Sequence, residues 1–197
     1  MTKKELLEEL YSRYRNSFKG REIVVGGGNT ESSLLLVGEA PGKDEVRLSK
    51  PFVGAAGKNL NEFLSIVGIE RDSIYITNAI KYRLSKLNEK TGRYINRPAS
   101  RQEIEANRDY LLDEINILKP KIIITLGGVP LKSLIGDFST VIGEHHGTLR
   151  KYSISDREYL LYPLYHPASI IYNRLLKDIY IEDIKNLNQI LSDSNKN

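Results

Sequence analysis

Four short apolar runs, each stopped by residues that cannot continue it, constrain this chain more than any other feature. Leu34-Leu35-Leu36-Val37 shows no polar alternation, as expected of a strand buried on both faces. It halts at Gly38-Glu39-Ala40-Pro41-Gly42, where glycines and a proline force a loop that can bring backbone N–H groups close to a ligand. Ser73 to Thr77 is β-branched and aromatic and delivers Asn78 at its carboxyl end. Ile122 to Leu126 halts at Gly127-Gly128. Tyr159 to Leu164, interrupted by Pro163, runs into His166-Pro167-Ala168-Ser169. Helical periods lie between these runs. Leu6, Leu7, Leu10, Tyr14 and Phe18 form one stripe over 3–18, and Leu60, Phe63, Leu64 and Val67 another, ended by Gly68. Ser100 opens a helix with Glu103 completing a capping box, and Pro120 ends it. A short helix starts at Pro130, and an amphipathic one covers roughly 176–192. The segment 83–98 reads as a long polar loop with Lys86, Lys90, Arg93 and Arg97, and 137–157 as irregular or hairpin structure. Strands alternating with helices predict an α/β protein. The expectation is a single domain over 1–197, with 193–197 as a frayed tail. Its architecture is a three-layer α/β/α sandwich around a central, mainly parallel four-stranded sheet.

Composition narrows the function. A chain of 197 residues, 40% hydrophobic and 27% charged, is able to bury a real core. No apolar run approaches the roughly 20 residues that span a membrane. The start, Met1-Thr2-Lys3-Lys4-Glu5, leads into charged sequence, so a cytoplasmic protein with no membrane partner is expected. The net charge of +4 and the pI near 9.1 accommodate a nucleic-acid partner without requiring one. There is no cysteine, which excludes disulfides, thiolate catalysis, zinc fingers and thiolate-ligated iron–sulfur clusters. Of three histidines, His145 and His146 are adjacent, so no metal site is expected.

In an open α/β sheet, ligands bind beyond the carboxyl ends of the strands. The phosphate-loop pattern GxxxxGK[ST] and the dinucleotide pattern GxGxxG are both absent. By spacing alone, 38–42 is a structural turn as readily as a site. Phe52, Asn78 and His166 follow three of the runs. Singly, an Asn after a strand is usually a cap and a His-Pro a packed turn. Their convergence at one sheet edge makes them a candidate constellation.

Gly38-Glu39-Ala40-Pro41-Gly42, followed by Lys50-Pro51-Phe52-Val53-Gly54-Ala55-Ala56-Gly57, resembles the first signature of the family 4 uracil-DNA glycosylases. Those enzymes belong to the wider uracil-DNA glycosylase superfamily. The lead-in from Val24-Val25-Gly26, the motif Ile76-Thr77-Asn78-Ala79-Ile80-Lys81, Lys119-Pro120-Lys121-Ile122 through Gly127, and His166-Pro167-Ala168-Ser169 follow in family order. The resemblance covers roughly 5–190. It implies excision of uracil from single- or double-stranded DNA by a monomer, leaving an abasic site. Phe52 would stack on the extruded base, Asn78 read its polar edge and His166 act in catalysis. Gly38, Ala40, Pro41 and Gly42 would complete the base site. Pro167, Ser169, Ile170 and Arg174 would contact DNA, with Ile170 or Ile171 as a wedge. Some relatives place an Asp or Asn at position 40 to orient the attacking water. Ala40 cannot do this, which leaves Glu39 and Glu45 as candidates. The ordinary reading of Glu45, a solvated loop carboxylate, stands beside that role.

The resemblance also marks a departure. Family 4 enzymes hold a four-iron cluster on four cysteines, and those places fall here on Tyr11, Tyr14, Tyr82 and Asn107. No cofactor is therefore expected, and three buried tyrosines would fill the space. An alternative on the same scaffold is a non-catalytic module that binds DNA or a pyrimidine nucleotide. The retained Phe52, Asn78 and His166 favour the enzyme, because a mere binder has little need of a leaving-group donor.

Overall fold

The computed structural model describes residues 1–154, 157–169 and 174–194. The strands are β1 (Gly27–Gly28), β2 (Leu34–Gly38), β3 (Tyr75–Asn78), β4 (Ser85–Asn88), β5 (Arg93–Asn96), β6 (Ile122–Leu126), β7 (Arg150–Ile154) and β8 (Arg157–Leu164). The helices are α1 (Lys3–Ser17), α2 (Lys43–Leu48), α3 (Ala55–Ile66), α4 (Arg101–Leu118), α5 (Gly128–Ile135) and α6 (Arg174–Ser194).

The central sheet has six strands in the order β1-β3-β2-β6-β8-β7, not the four expected. The four apolar runs are its parallel middle, β3, β2, β6 and β8, in register Leu36↔Ile76, Leu36↔Ile124 and Ile124↔Tyr162. The two extra strands are antiparallel edges. Strand β1 is a pair of glycines with no side-chain pattern to announce it. Strand β7 is mostly exposed and polar, so its pairing with β8 rests on backbone bonds. Pro163 does not interrupt β8. Its carbonyl accepts from Gly147 N–H on the β7 side, beyond Arg150, where β7 begins opposite Leu161. The missing proline N–H therefore falls outside the ladder.

Alternation along each doubly buried strand divides the core into two layers. Leu35, Val37, Tyr75, Ile123 and Leu161 face one way, against Leu7, Leu10 and Tyr11 of α1, Leu111 and Ile115 of α4, and Leu131 of α5. Leu36, Ile76, Ile124 and Tyr162 face the other way, against Leu60 and Phe63 of α3 and Tyr180 and Ile184 of α6. This is the expected three-layer arrangement. Both long helices of the first layer are capped by reciprocal boxes: Thr2 with Glu5 at α1, and Ser100 with Glu103 at α4. Each cap contributes about 1 kcal/mol. Residues 83–98 form a two-stranded hairpin, β4 paired with β5, where a loop was expected, because its polar alternation presents no apolar face to the core. No helix among the described residues is long and apolar enough to cross a membrane.

One charged pair lies inside the first layer. Lys81 Nζ, just past β3, is 2.8 Å from Glu114 Oε2 of α4, with both side chains fully buried. Glu114 also accepts from the hydroxyls of Tyr11 and Thr77, the latter at 3.1 Å. Lys81 Nζ donates in addition to the Asn78 carbonyl at 3.1 Å. Removing one member of such a pair leaves an uncompensated charge, which costs about 3–5 kcal/mol. Denaturant titration of Lys81→Met is expected to show a loss of that size. The double variant Lys81→Met/Glu114→Leu should lose less than the sum of the single changes. A loss within experimental error for the single variant would mean that the pair does not hold this layer together.

Candidate active site

The parallel strands end together. Gly38 of β2 lies opposite Asn78 of β3, and Leu126 of β6 opposite Leu164 of β8, with Gly127 N–H donating to the Leu164 carbonyl at 2.8 Å. The chain leaving β3 is tied to the chain leaving β2, since Ala79 and Ile80 N–H donate to the Gly38 and Glu39 carbonyls at 2.8 and 2.9 Å. Beyond these ends opens a cavity of about 340 Å³, lined by Ala40, Gly42, Glu45, Phe52, Asn78 and His166 among others. A second cavity of about 290 Å³ adjoins it, lined by Glu39, Ala40, Pro41, Asn96, Arg97 and His166 among others.

Phe52 is buried and adopts the left-handed backbone region with φ +53. Two glycines make this possible. A β-carbon on Gly57 would stand 2.0 Å from the Phe52 carbonyl oxygen. One on Gly38 would meet the Phe52 ring at 2.4 Å and Asn78 Oδ1 at 2.5 Å. Gly38 is thus the point over which aromatic ring and amide converge. The Phe52 ring lies 6.4 Å from the His166 ring between centroids, inclined by 30°. Asn78 is buried, and its side-chain amide makes no hydrogen bond to another described residue, so both of its ends are available to a ligand.

His166 Nδ1 accepts from the Ala168 N–H at 3.1 Å. An accepting ring nitrogen carries no proton, so the neutral imidazole holds its proton on Nε2. Burial lowers the His166 pKa below its ordinary 6.5, which favours that neutral form. The turn is closed by Ser169, whose N–H and hydroxyl both donate to the His166 carbonyl, at 2.9 and 2.7 Å. Asn59 of α3 fastens it from behind by donating to the Pro167 carbonyl at 2.9 Å. Sequence reasoning missed Asn59, because a single polar residue beside a helical stripe carries no signal of a distant partner.

Glu45 is not a solvated loop carboxylate. It is buried in α2, with Oε1 accepting from Val53 and Gly54 N–H at 3.0 and 2.7 Å and Oε2 from Gly42 N–H at 3.1 Å. It staples the loop after β2 to the loop bearing Phe52. Of the roughly four acceptor positions of a carboxylate, one on Oε2 stays open. Because Gly42 N–H is engaged and Pro41 has none, neither can serve a ligand as a backbone donor. Glu39 lines the second cavity rather than the first. Its carboxylate accepts from Ala99 N–H at 3.1 Å, and burial raises its pKa above the ordinary carboxylate value, opposed by that bond. Of the residues expected to meet DNA, Pro167 is buried and Ser169 exposed. Ile170 and Ile171 lie outside the described residues, as does the side chain of Arg174, whose backbone opens α6.

The four places that correspond to cluster cysteines do not fit an iron–sulfur cluster. Tyr11, Tyr14, Tyr82 and Asn107 are all buried, as the aromatic filling requires, and their polar atoms bond to protein. Tyr14 donates to Asn107 Oδ1, while Asn107 Nδ2 donates to Tyr82 at 3.3 Å and to the Glu103 carbonyl at 2.8 Å. Tyr11 engages Glu114 and, at 2.7 Å, the Tyr75 hydroxyl. The rings of Phe18 and Tyr110 lie 4.5 and 5.0 Å from that of Tyr14. Phenols and an amide offer no thiolate, and no step involves such a group.

Fold and site together define an α/β protein with a small pocket at its strand ends where an aromatic ring, an amide and an imidazole meet. The sequence model of the Uracil DNA glycosylase superfamily matches residues 25–190. A type-4 uracil-DNA glycosylase of Sulfurisphaera tokodaii is 37% identical over 85% of this chain and 74% of its own length. One of Archaeoglobus fulgidus is 32% identical over 85% and 81%, and one of Thermotoga maritima 30% over 93% and 94%. The chain belongs to the uracil-DNA glycosylase superfamily.

The depressed His166 pKa has a consequence for stability. The unfolded chain binds a proton near pH 6.5, while the folded ring resists it. The corresponding stability is full above 6.5 and is lost as pH falls through the lower folded-state value. Melting of the native chain is therefore expected to decline below pH 6.5 more steeply than that of His166→Gln. Parallel declines would place the loss in other groups.

Proposed function

We propose that this chain is a uracil-DNA glycosylase that draws uracil out of DNA and hydrolyses its N-glycosidic bond, acting as a monomer in the cytoplasm and leaving an abasic site. The observation that carries this reading is the meeting of Phe52, Asn78 and His166 at one cavity, with the His166 tautomer fixed so that Nε2–H is the free donor. The relatives named type-4 uracil-DNA glycosylase support it.

Duplex DNA hides the glycosidic bond, so the nucleotide must be extruded, at a cost of a few kcal/mol. Phe52 offers its ring face to the base. The Asn78 amide accepts from uracil N3–H and donates to O4. As the C1′–N1 bond breaks, its electron pair moves onto the base and the sugar becomes oxocarbenium-like. The neutral His166 ring donates from Nε2 to the charge developing on uracil O2. A donor of this kind, set in place beforehand, contributes about 3–4 kcal/mol. A water held by the open acceptor position of Glu45 adds its oxygen to C1′. Its proton passes to that carboxylate and then to the departing base.

A uracil-containing oligonucleotide scored for abasic sites tests the reading. Binding without any cleavage by the native chain would return it to a non-catalytic module. In the same assay, His166→Ala is expected to lower single-turnover excision about a hundredfold or more. DNA binding should hardly change, because phosphate contacts dominate affinity. A near-native rate would remove His166 from the mechanism. Asn78→Asp is expected to lose most uracil excision, because an ionised carboxylate has no proton for O4 and repels it. Full activity in that variant would withdraw the base-reading role.

A further inference from the structure

The hairpin formed by β4 and β5 projects beside the two cavities, and no part of the mechanism uses it. Its base is clamped. Arg97 grips Glu103 with two bonds of 2.6 and 2.8 Å, and its N–H donates to the Leu84 carbonyl at 3.1 Å. Arg83 bonds Asn96 Oδ1 at 3.3 Å and the Tyr94 carbonyl at 3.4 Å. The register places Ser85 opposite Asn96 and Leu87 opposite Tyr94. Directly paired residues, and residues two apart on a strand, share a face. Asn96, Tyr94 and Leu87 therefore lie in a row on one face, with Lys86, Ile95 and Arg93 on the other. The row starts at the site, since Asn96 lines both cavities. It continues over Tyr94, 64% exposed, and Leu87, 52% exposed, an aromatic ring and an apolar side chain left to solvent.

Charge points to one kind of occupant. Between 83 and 97 stand Arg83, Lys86, Lys90, Arg93 and Arg97 against Glu89 as the single acid. Arg97 and Arg83 are paired with Glu103 and Glu22. Lys86, Lys90 and Arg93 have no carboxylate within ion-pair distance among the described residues. The exposed ring lies on one face of a narrow two-stranded ribbon, with Lys86 and Arg93 on the other face and Lys90 in the turn. A ring that stacks on a base, with long cationic side chains within reach of the backbone at the ribbon's edge, is a combination that holds unpaired nucleotides.

We propose that the β4–β5 hairpin is a platform for unpaired DNA next to the extruded nucleotide, with Tyr94 stacking on a flanking base from one face of the ribbon and Lys86 and Arg93, on the other face, reaching phosphates round its edge. This rests on the reading of the chain as an enzyme that acts on DNA. A paired flanking base keeps its own stack, so the platform favours single-stranded over double-stranded substrate.

The test uses the full chain, a uracil-free single-stranded oligonucleotide of mixed sequence and its duplex, with fluorescence anisotropy as readout. Tyr94→Ala is expected to weaken single-strand binding about tenfold. Tyr94→Phe should bind like the native chain, and duplex affinity should stay within about twofold in both variants. Replacing Lys86 and Arg93 together by Gln should reduce the slope of log affinity against log salt by about 1.4 on the single strand. Native-like single-strand affinity in Tyr94→Ala, an equal loss on duplex, or an unchanged salt slope would each overturn the platform. Because the probe carries no uracil, these results stand apart from the excision assay. A chain that fails to excise uracil sinks the proposed function while the binding measurements remain readable.

Discussion

The contact between Lys81 and Glu114 is the interaction on which the arrangement of the site depends. It ties α4 to the segment leaving β3, and α1 joins through Tyr11 on Glu114 and through Tyr14, whose hydroxyl accepts the Lys81 N–H at 2.9 Å. Two charges taken out of water repay their desolvation only when every remaining donor and acceptor is satisfied. Here Thr77 and Tyr11 donate to the carboxylate, and the Asn78 carbonyl accepts a second bond from the ammonium. What the pair supplies is registry. It grips the backbone of Asn78 from the core side, while the amide on the cavity side is left unbonded among the described residues.

In front of that support the constraint is steric. Aromatic ring, amide and strand backbone approach so closely at Gly38 that no side chain fits there, and Gly57 admits the Phe52 carbonyl in the same way. The left-handed backbone of Phe52 costs about 1–2 kcal/mol. Glu45 helps to hold it by accepting from the two N–H groups that follow, those of Val53 and Gly54. Arg71 adds a bond to the Pro51 carbonyl at 2.7 Å. The platform for a ligand is thus ordered when the chain folds, and a ligand does not have to organise it.

What could be read from the sequence follows from which residues carry a pattern. The four parallel strands were legible because strands covered on both faces are written as uninterrupted apolar runs, and Leu34–Val37 and Ile122–Leu126 have no other easy reading. The edges were not. Gly27-Gly28 has no side chains to alternate, β7 pairs through its backbone, and the β4–β5 hairpin alternates without any face turned to the core. That Phe52, Asn78 and His166 would meet at one cavity could be expected because strand ends are where ligands bind, and because their motifs resemble a known family in order. The part played by Glu45 was hidden, since its partners are backbone N–H groups that no side-chain pattern encodes. The same holds for the attachment of Asn59 to Pro167.

The knot formed by Tyr14, Tyr82 and Asn107 bears on how such a protein is made and how it fails. A metal cluster couples folding to the supply of its metal, and it opens the fold to chelators and to oxidation of its sulfur ligands. This chain has no cysteine and ties Tyr14, Tyr82 and Asn107 together by hydrogen bonds, a knot on which neither chelators nor thiol oxidants act. Its weak point moves from redox chemistry to heat and solvent, because hydrogen bonds and ring contacts yield to unfolding rather than to reagents.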